Sequence, residues 1–189
     1  MLETPTLYRL AGWSSALAIV MLLISGVALA LFFSIGEPWG SINDFFVVLT
    51  ALLLILPMLA IDRIAVGQAP WLRPVTIAAI AGAVLIAVGQ SLLILRVIGL
   101  YDSYATGGLG LLPLLVWWIA LVVLAFGTHA VAPAVGWAAA AMLVMIVVYS
   151  LIAIVTLGPV LWVASVVLLV VISAWMALLA MDLLRRVPA

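Results

Sequence analysis

Six apolar stretches, each long enough to cross a lipid bilayer, dominate this sequence. An α-helix rises 1.5 Å per residue, so about 20 apolar residues cover a hydrocarbon core of roughly 30 Å. Short polar segments separate the stretches, and we predict helices over residues 10–33, 44–61, 74–98, 111–128, 134–157 and 160–184. The sequence therefore predicts an all-α polytopic membrane protein, with six transmembrane helices in one bundle and a single domain over residues 1–189.

The composition excludes a water-soluble fold. Hydrophobic residues make up 70% of the chain and charged residues 6%, whereas soluble domains have about 45–50% and 25%. A domain of 189 residues leaves most side chains partly exposed, so water would contact too much apolar surface. The bilayer is therefore the first partner that the sequence predicts.

Missing residue types restrict the chemistry further. The chain has no cysteine, which excludes disulfides, thiolate metal sites, iron–sulfur clusters and cysteine nucleophiles. It also has no lysine, so it cannot form a retinal Schiff base. The net charge is +0 and no basic stripe is present, which argues against nucleic acid as a partner.

The distribution of arginine predicts the orientation. Placing the N-terminus in the cytoplasm puts five of the six arginines on the cytoplasmic side: Arg9, Arg63, Arg73, Arg185 and Arg186. Arg96 alone falls outside, together with Glu37, Asp44 and Asp102. Because cytoplasmic loops are enriched in Lys and Arg, we expect a multi-pass protein of the cell membrane with both termini in the cytoplasm.

The segment 36–44 is the most distinctive connection between predicted helices. Gly36, Pro38 and Gly40 should end the first helix. Ser41 followed by Asp44 resembles a capping box, so we expect the second helix to begin there.

Prolines and glycines predict further details of the bundle. Pro57 should kink the second helix, and a neighbouring helix must satisfy the carbonyl that it frees. Gly82 and Gly89 share one helix face and should allow close contact with another helix. Residues 99–110 contain three glycines and are predicted as an outer loop. Residues 158–159 are predicted as a short turn, so helices five and six should be antiparallel neighbours.

Seven residues are candidate ligand contacts or ion-pair partners: Arg96, Gln90, Ser91, Tyr149, Glu37, Asp44 and Asp102. Arg96 should reach the outer interface, where it could contact an anion, pair with one of the three acids, or extend its charge into water. The polar residues on helices three and five could line a solute path or bridge helices by hydrogen bonds.

The sequence offers no recognisable catalytic, cofactor or metal site. No carboxylate falls at the middle of a predicted helix, which argues against a proton-coupled pump. His129 is the only histidine, so a bis-histidine haem is excluded and a three-ligand zinc site is hard to assemble. A serine triad built on His129 would lack the Gly-x-Ser-x-Gly turn.

One family resemblance is present. The segment Gly-Glu-Pro-Trp-Gly-Ser-Ile-Asn-Asp at 36–44, the Ala-Pro-Trp-Leu segment at 69–72 and the Gly89–Gln90 step resemble small six-span bacterial membrane proteins grouped as a domain of unknown function. Their pattern is a Gly-x-Pro-aromatic-Gly-x-Ile-Asn-Asp loop after the first helix. The resemblance covers nearly the whole chain and implies a six-helix fold in a bacterial inner membrane, without an established activity.

Three functional hypotheses follow. The first is a non-enzymatic structural or accessory subunit, with other membrane subunits or a second copy as partners. The alternative is a small-solute transporter or channel that uses Gln90, Ser91, Tyr149 and Arg96. An intramembrane enzyme comes third. A water-filled cavity that reaches Gln90 would favour the transporter, whereas a dry, tightly packed interior would favour the accessory subunit.

Overall fold

The computed structural model describes residues 3–155 and 159–188, with side chains described outside residues 153–162. Within these ranges the secondary structure is helical and contains no strand. The helices are α1 (Thr4–Ile35), α2 (Trp39–Leu53), α3 (Ile55–Ala65), α4 (Leu72–Ile94), α5 (Leu100–Val123), α6 (Pro133–Val155) and α7 (Pro159–Arg185). A π-helical turn, Leu124–Thr128, extends α5. Because α2 and α3 form one span, the described residues contain six helices that could cross a membrane, which confirms the predicted fold class.

The six spans form a closed ring in which each span packs against the next. Helix α1 packs against α2, α3 and α7, α4 packs against α2, α3 and α5, and α6 packs against α5 and α7. Gly12 lies against Leu184 and Gly26 lies against Leu169, so α1 and α7 are antiparallel. The start of α1 and the end of α7 therefore lie at one end of the bundle, here called the terminal end. The opposite end is called the distal end.

Large side chains fill the ring toward the terminal end. The Trp175 ring of α7 lies 6.1 Å from the Trp117 ring and 5.9 Å from the Trp118 ring of α5, edge to face in both cases. Helices α5 and α7 are not neighbours in the ring, so these three residues, the tryptophan cluster, span its interior. The buried side chains of Met58 and Met142 extend the packed region.

The second span is interrupted at Leu54, where Pro57 predicts a kink, although nearer the middle of the span than the inner end that we expected. Helix α2 ends at Leu53 and α3 begins at Ile55. Proline lacks an N–H and its ring clashes with the carbonyl four residues earlier, which here belongs to Leu53. The Ser14 hydroxyl of α1 donates a hydrogen bond to that carbonyl oxygen at 2.6 Å. A neighbouring helix therefore satisfies the freed acceptor, as expected from the sequence.

Helices α4 and α5 touch through glycine. A Cβ atom on Gly110 would lie 2.6 Å from the Gly82 carbonyl oxygen, and a Cβ on Gly82 would overlap the Gly110 carbonyl oxygen. Gly89 packs in the same way against the Thr106 side chain. The predicted close contact at Gly82 and Gly89 is confirmed, and the partner helix is α5.

The predicted loop over residues 99–110 is wrong. Helix α5 begins at Leu100, so residues 100–110 are helical. Asp102 accepts a hydrogen bond from the Gly99 N–H at 3.3 Å and so supports the first turn. No water competes for backbone groups in a bilayer, so a helix tolerates glycine there. Gly110 also permits the contact with α4.

Other helix bounds differ from the expected ones at the two ends of the bundle. Helix α1 begins at Thr4 instead of residue 10, with Pro5 in its first turn. Helix α2 begins at Trp39 instead of residue 44, and α4 ends at Ile94 instead of residue 98. Helices α6 and α7 begin within one residue of the prediction and pack against each other. The predicted end at 157 and the turn residue 158 lie outside the described residues.

Candidate functional site

A cavity of about 880 Å³ lies inside the ring at the distal end. All six spans contribute to its wall. Its apolar lining residues are Leu29, Phe32, Phe33, Val47, Leu93, Ile94 and Leu100. Its polar lining residues are Glu37, Ser41, Asn43, Asp44, Gln90, Arg96, Ser103, Tyr104, Tyr149 and Ser165. The exposed side chains of Glu37, Arg96 and Tyr104 place the cavity's opening at the distal end.

The cavity stops before the tryptophan cluster. Along α2 its lining runs from Gly40 to Val47, which is roughly 10 Å of helix at 1.5 Å per residue. Thr50, the next inward-facing residue of α2, is buried, as is Leu114 of α5. The cavity is therefore open toward the distal end and closed toward the terminal end.

Glu37 lies over the N-terminus of α2. Its Oε2 atom accepts long hydrogen bonds from the Ser41 N–H, at 3.4 Å, and from the Ser41 hydroxyl, at 3.3 Å. Gly40 leaves space for the carboxylate, because a Cβ there would lie 2.8 Å from Glu37 Oε1. The predicted capping box of Ser41 and Asp44 is therefore wrong. Ser41 lies inside the helix, and the carboxylate near its first turn belongs to Glu37, where the helix dipole favours negative charge.

A short hydrogen-bond chain orients Asp44. The Ser25 hydroxyl of α1 donates to Asn43 Oδ1 at 2.7 Å, and Asn43 Nδ2 donates to Asp44 Oδ1 at 3.0 Å. The first bond fixes the Asn43 amide, so its N–H group points toward the carboxylate. One Asp44 oxygen is held in this way, and the residue lines the cavity beside Glu37.

Arg96 occupies a backbone position that usually belongs to glycine. Its φ angle is 57°, and the Arg96 and Val97 N–H groups donate to the carbonyls of Leu93 and Leu92, each at 2.9 Å. This is the Schellman ending of a helix, in which the left-handed residue is most often glycine. An L-residue with a Cβ costs about 1–2 kcal/mol in that conformation. Among the described residues no carboxylate lies within 4 Å of the guanidinium, so the ion pair with Glu37, Asp44 or Asp102, one of the three alternatives for Arg96, is not formed.

Gln90 and Ser103 carry buried polar atoms. Gln90 Oε1 and Ser103 Oγ are both inaccessible and have no hydrogen-bond partner within the described ranges. Ser103 is 1% exposed. Most buried side-chain polar atoms in proteins are paired, but unpaired ones also occur in the packed half, at Trp117 Nε1, Trp118 Nε1 and Trp175 Nε1. Gln90 and Ser103 line the cavity, and these two atoms are covered by their neighbours.

Five of the seven candidate residues line this cavity: Arg96, Gln90, Tyr149, Glu37 and Asp44. The other two have local roles. The Ser91 hydroxyl donates to the Ala87 carbonyl of its own helix at 2.7 Å, and Asp102 supports the start of α5. The structure therefore brings together candidates that the sequence separates by more than one hundred residues.

The sequence reasoning missed five polar lining residues: Ser41, Asn43, Ser103, Tyr104 and Ser165. A signal for Ser103 was present. Counting back from the buried Leu121 and Trp117, helical spacing passes through Leu114 and Gly110 to Ser103. The assumption of a glycine-rich loop concealed this periodicity. Asn43 could have been inferred only from its contact with Ser25, which no local pattern reveals.

The described residues contain no group of three His, Asp or Glu side chains that could hold a metal ion. His129 lies in the turn after the π-helical segment, at the terminal end, with Nδ1 3.1 Å from the Ala125 carbonyl oxygen. It therefore lies at the opposite end of the bundle from the cavity.

No protein-family model, curated protein or solved structure matches this sequence. The resemblance noted above stays a prediction.

Proposed function

We propose that this protein is a small-solute transporter of the cell membrane and that the distal cavity is its solute site. The distribution of arginine supports a cytoplasmic terminal end. Five arginines fall at or near that end and only Arg96 lies at the distal end. The cavity of the proposed transporter then opens to the outside of the cell.

The cavity is the observation that carries this proposal. Ligand sites are typically about 300–1,000 Å³, mainly apolar, with a few convergent polar groups. The distal cavity has this size, combines apolar and polar lining residues, and contains side chains from every span. A purely structural subunit gains nothing from a cavity of this size, because the atoms around an interior space lose van der Waals contacts. The cavity therefore favours transport over the accessory hypothesis.

The broken second span also supports transport. Leu54 keeps right-handed helical backbone angles, so the interruption is a local proline kink and not an unwound segment. The break at Leu54 lies between the cavity and the packed half of the ring. Movement at this point could open the terminal half while the distal half closes.

The absence of native cysteine allows a direct test in membrane vesicles of known orientation. Three single-cysteine variants are labelled with a membrane-impermeant maleimide: Ser41→Cys in the cavity, Ser173→Cys in the packed half, and Ser15→Cys as a control. Ser41 lines the cavity and is half-buried. The Ser173 hydroxyl of α7 is buried, two residues before Trp175, and Ser15 is 0% exposed and bonds to its own helix. Ser41→Cys should react from the outside only. In a transporter, Ser173→Cys should react slowly from the cytoplasmic side, and the control should stay unlabelled.

Each result has a clear meaning. If Ser41→Cys stays unlabelled from both sides, the solute-site proposal fails. If Ser41→Cys reacts but Ser173→Cys never does, the cavity binds solute without alternating access, and transport is excluded.

A further inference from the structure

The cavity wall carries charges of both signs on different helices. Glu37 and Asp44 lie at the start of the second span, and Arg96 lies at the end of α4. The two spans are neighbours in the ring, yet in the described part of the chain neither acid lies within 4 Å of the guanidinium. Charges near an apolar environment are usually paired or contact a ligand. These groups therefore leave both a negative and a positive contact site within one cavity.

From this arrangement we infer that the cavity binds a zwitterionic organic solute with an apolar body. Its ammonium group contacts Asp44 and Glu37, and its carboxylate or phosphate contacts Arg96. This inference rests on the proposed function and specifies the class of solute. Arginine binds both carboxylate and phosphate through paired N–H donors, so Arg96 suits either anion.

The remaining wall fits the rest of such a molecule. Phe32, Tyr104 and Tyr149 supply aromatic surface, which packs against an apolar body and attracts an ammonium group through the ring face. Gln90 adds an amide side chain to the lining. The volume of about 880 Å³ has room for more than the smallest amino acids.

The backbone of Arg96 provides an independent argument. A glycine at this position would remove the cost of the left-handed conformation. Strained conformations occur most often at functional sites, where the side chain is needed. Among the described residues Arg96 makes no ion pair that could offset the free-energy cost of its left-handed backbone. A role in contacting a ligand accounts for an arginine here.

Three probes that share a phenyl ring but carry different charged groups test the inference. They are L-phenylalanine, phenethylamine, which lacks the carboxylate, and 3-phenylpropionate, which lacks the ammonium group. Two readouts are used in discs of phosphatidylglycerol: the alkylation rate of Ser41→Cys with N-ethylmaleimide, and the Tm of the unsubstituted protein. We expect phenylalanine to slow alkylation and raise the Tm at concentrations at least tenfold lower than either analogue.

Substitutions assign each charge. Arg96→Gly keeps the left-handed turn and should remove the preference for phenylalanine over phenethylamine. Asp44→Asn should remove the preference over 3-phenylpropionate. Arg73→Gln and Asp62→Asn, at the terminal end, are matched controls and should keep both preferences.

A second set of discs identifies the source of the zwitterion. Phosphatidylethanolamine carries an ammonium and a phosphate in its headgroup. If adding this lipid slows alkylation and phenylalanine does not, the inferred ligand class stands and its source is a lipid headgroup. If an analogue acts as well as phenylalanine, or if neither the probes nor the lipid has an effect, the zwitterion inference is wrong. Labelling of Ser41→Cys by itself would still support the solute site.

Discussion

The two halves of the bundle share one ring of helices but differ in what fills it. Toward the terminal end, Trp117, Trp118 and Trp175 meet inside the ring and exclude other molecules. Toward the distal end, Gln90 and Ser103 face a cavity of about 880 Å³. Both halves are built from helices with apolar outer surfaces. The difference lies in a few interior positions.

Geometry explains why those positions matter. Neighbouring helix axes lie about 8–10 Å apart, so six helices in a regular ring leave a central space about as wide as another helix. Aliphatic side chains that point inward cannot fill such a space, whereas tryptophans can. Where the inward side chains are small or polar, the space persists. A six-helix ring is therefore open unless large residues close it.

Removing the central tryptophan should have the largest effect. Trp175→Ala deletes a ring that is 0% exposed and contacts both of the other tryptophans. Replacing a buried Trp by Ala usually lowers the free energy of unfolding by about 3–5 kcal/mol. The measurement is unfolding in mixed micelles by titration with dodecyl sulfate. Ser173→Cys should also become reactive in this background.

Trp137→Ala is the matched control. Trp137 is 68% exposed and its ring packs on Phe126 at the outer surface. We expect a loss below about 1 kcal/mol, because lipid can replace protein around this ring. Equal losses for the two variants would show that the cluster does not close the terminal half.

A substitution at the glycine contact between α4 and α5, where the two halves meet, should have an intermediate effect on the free energy of unfolding. In Gly82→Ala the new methyl group would overlap the Gly110 carbonyl oxygen and lie 2.6 Å from Pro113 Cγ, both of which are rigid. The helices must separate, at a cost of about 1–3 kcal/mol in the free energy of unfolding. Gly107→Ala, in α5, has no atom within 4 Å of the added Cβ. It should raise stability by about 0.5–1 kcal/mol. The same titration measures both, and a loss of stability in Gly107→Ala would contradict this account.

The sequence predicts the packed features of this fold better than the open ones. Length and hydropathy identify six spans, because a bilayer imposes both. Pro57 predicts the break in the second span, since a proline always removes a helix hydrogen bond. The start of α5 could not be placed from local pattern, because glycine signals a loop in water but is tolerated in a membrane helix.

The site was predictable in its residues but not in its geometry. Polar side chains are rare in this chain, so Arg96, Gln90 and Tyr149 could be selected from the sequence. Their meeting in one cavity depends on the order of helices in the ring, which apolar sequences do not specify. The Arg96 left-handed turn was also hidden, because glycine rather than arginine is its usual signal.

The smallest expected effect tests whether the distal half is built for binding instead of stability. Ser103 and Ser14 are buried to nearly the same extent, 1% and 5% exposed. The Ser14 hydroxyl satisfies the Leu53 carbonyl that Pro57 cannot bond, so Ser14→Ala should lower the free energy of unfolding by about 0.6–2 kcal/mol. The Ser103 hydroxyl has no partner in the described part of the chain. Ser103→Ala therefore removes a polar group whose burial is uncompensated, and stability should change by less than about 0.5 kcal/mol or rise. Dodecyl sulfate titration of both variants checks the contrast. A loss in Ser103→Ala as large as that in Ser14→Ala would mean that the cavity wall supports the fold, and the distinction between a packed half and a binding half would fail.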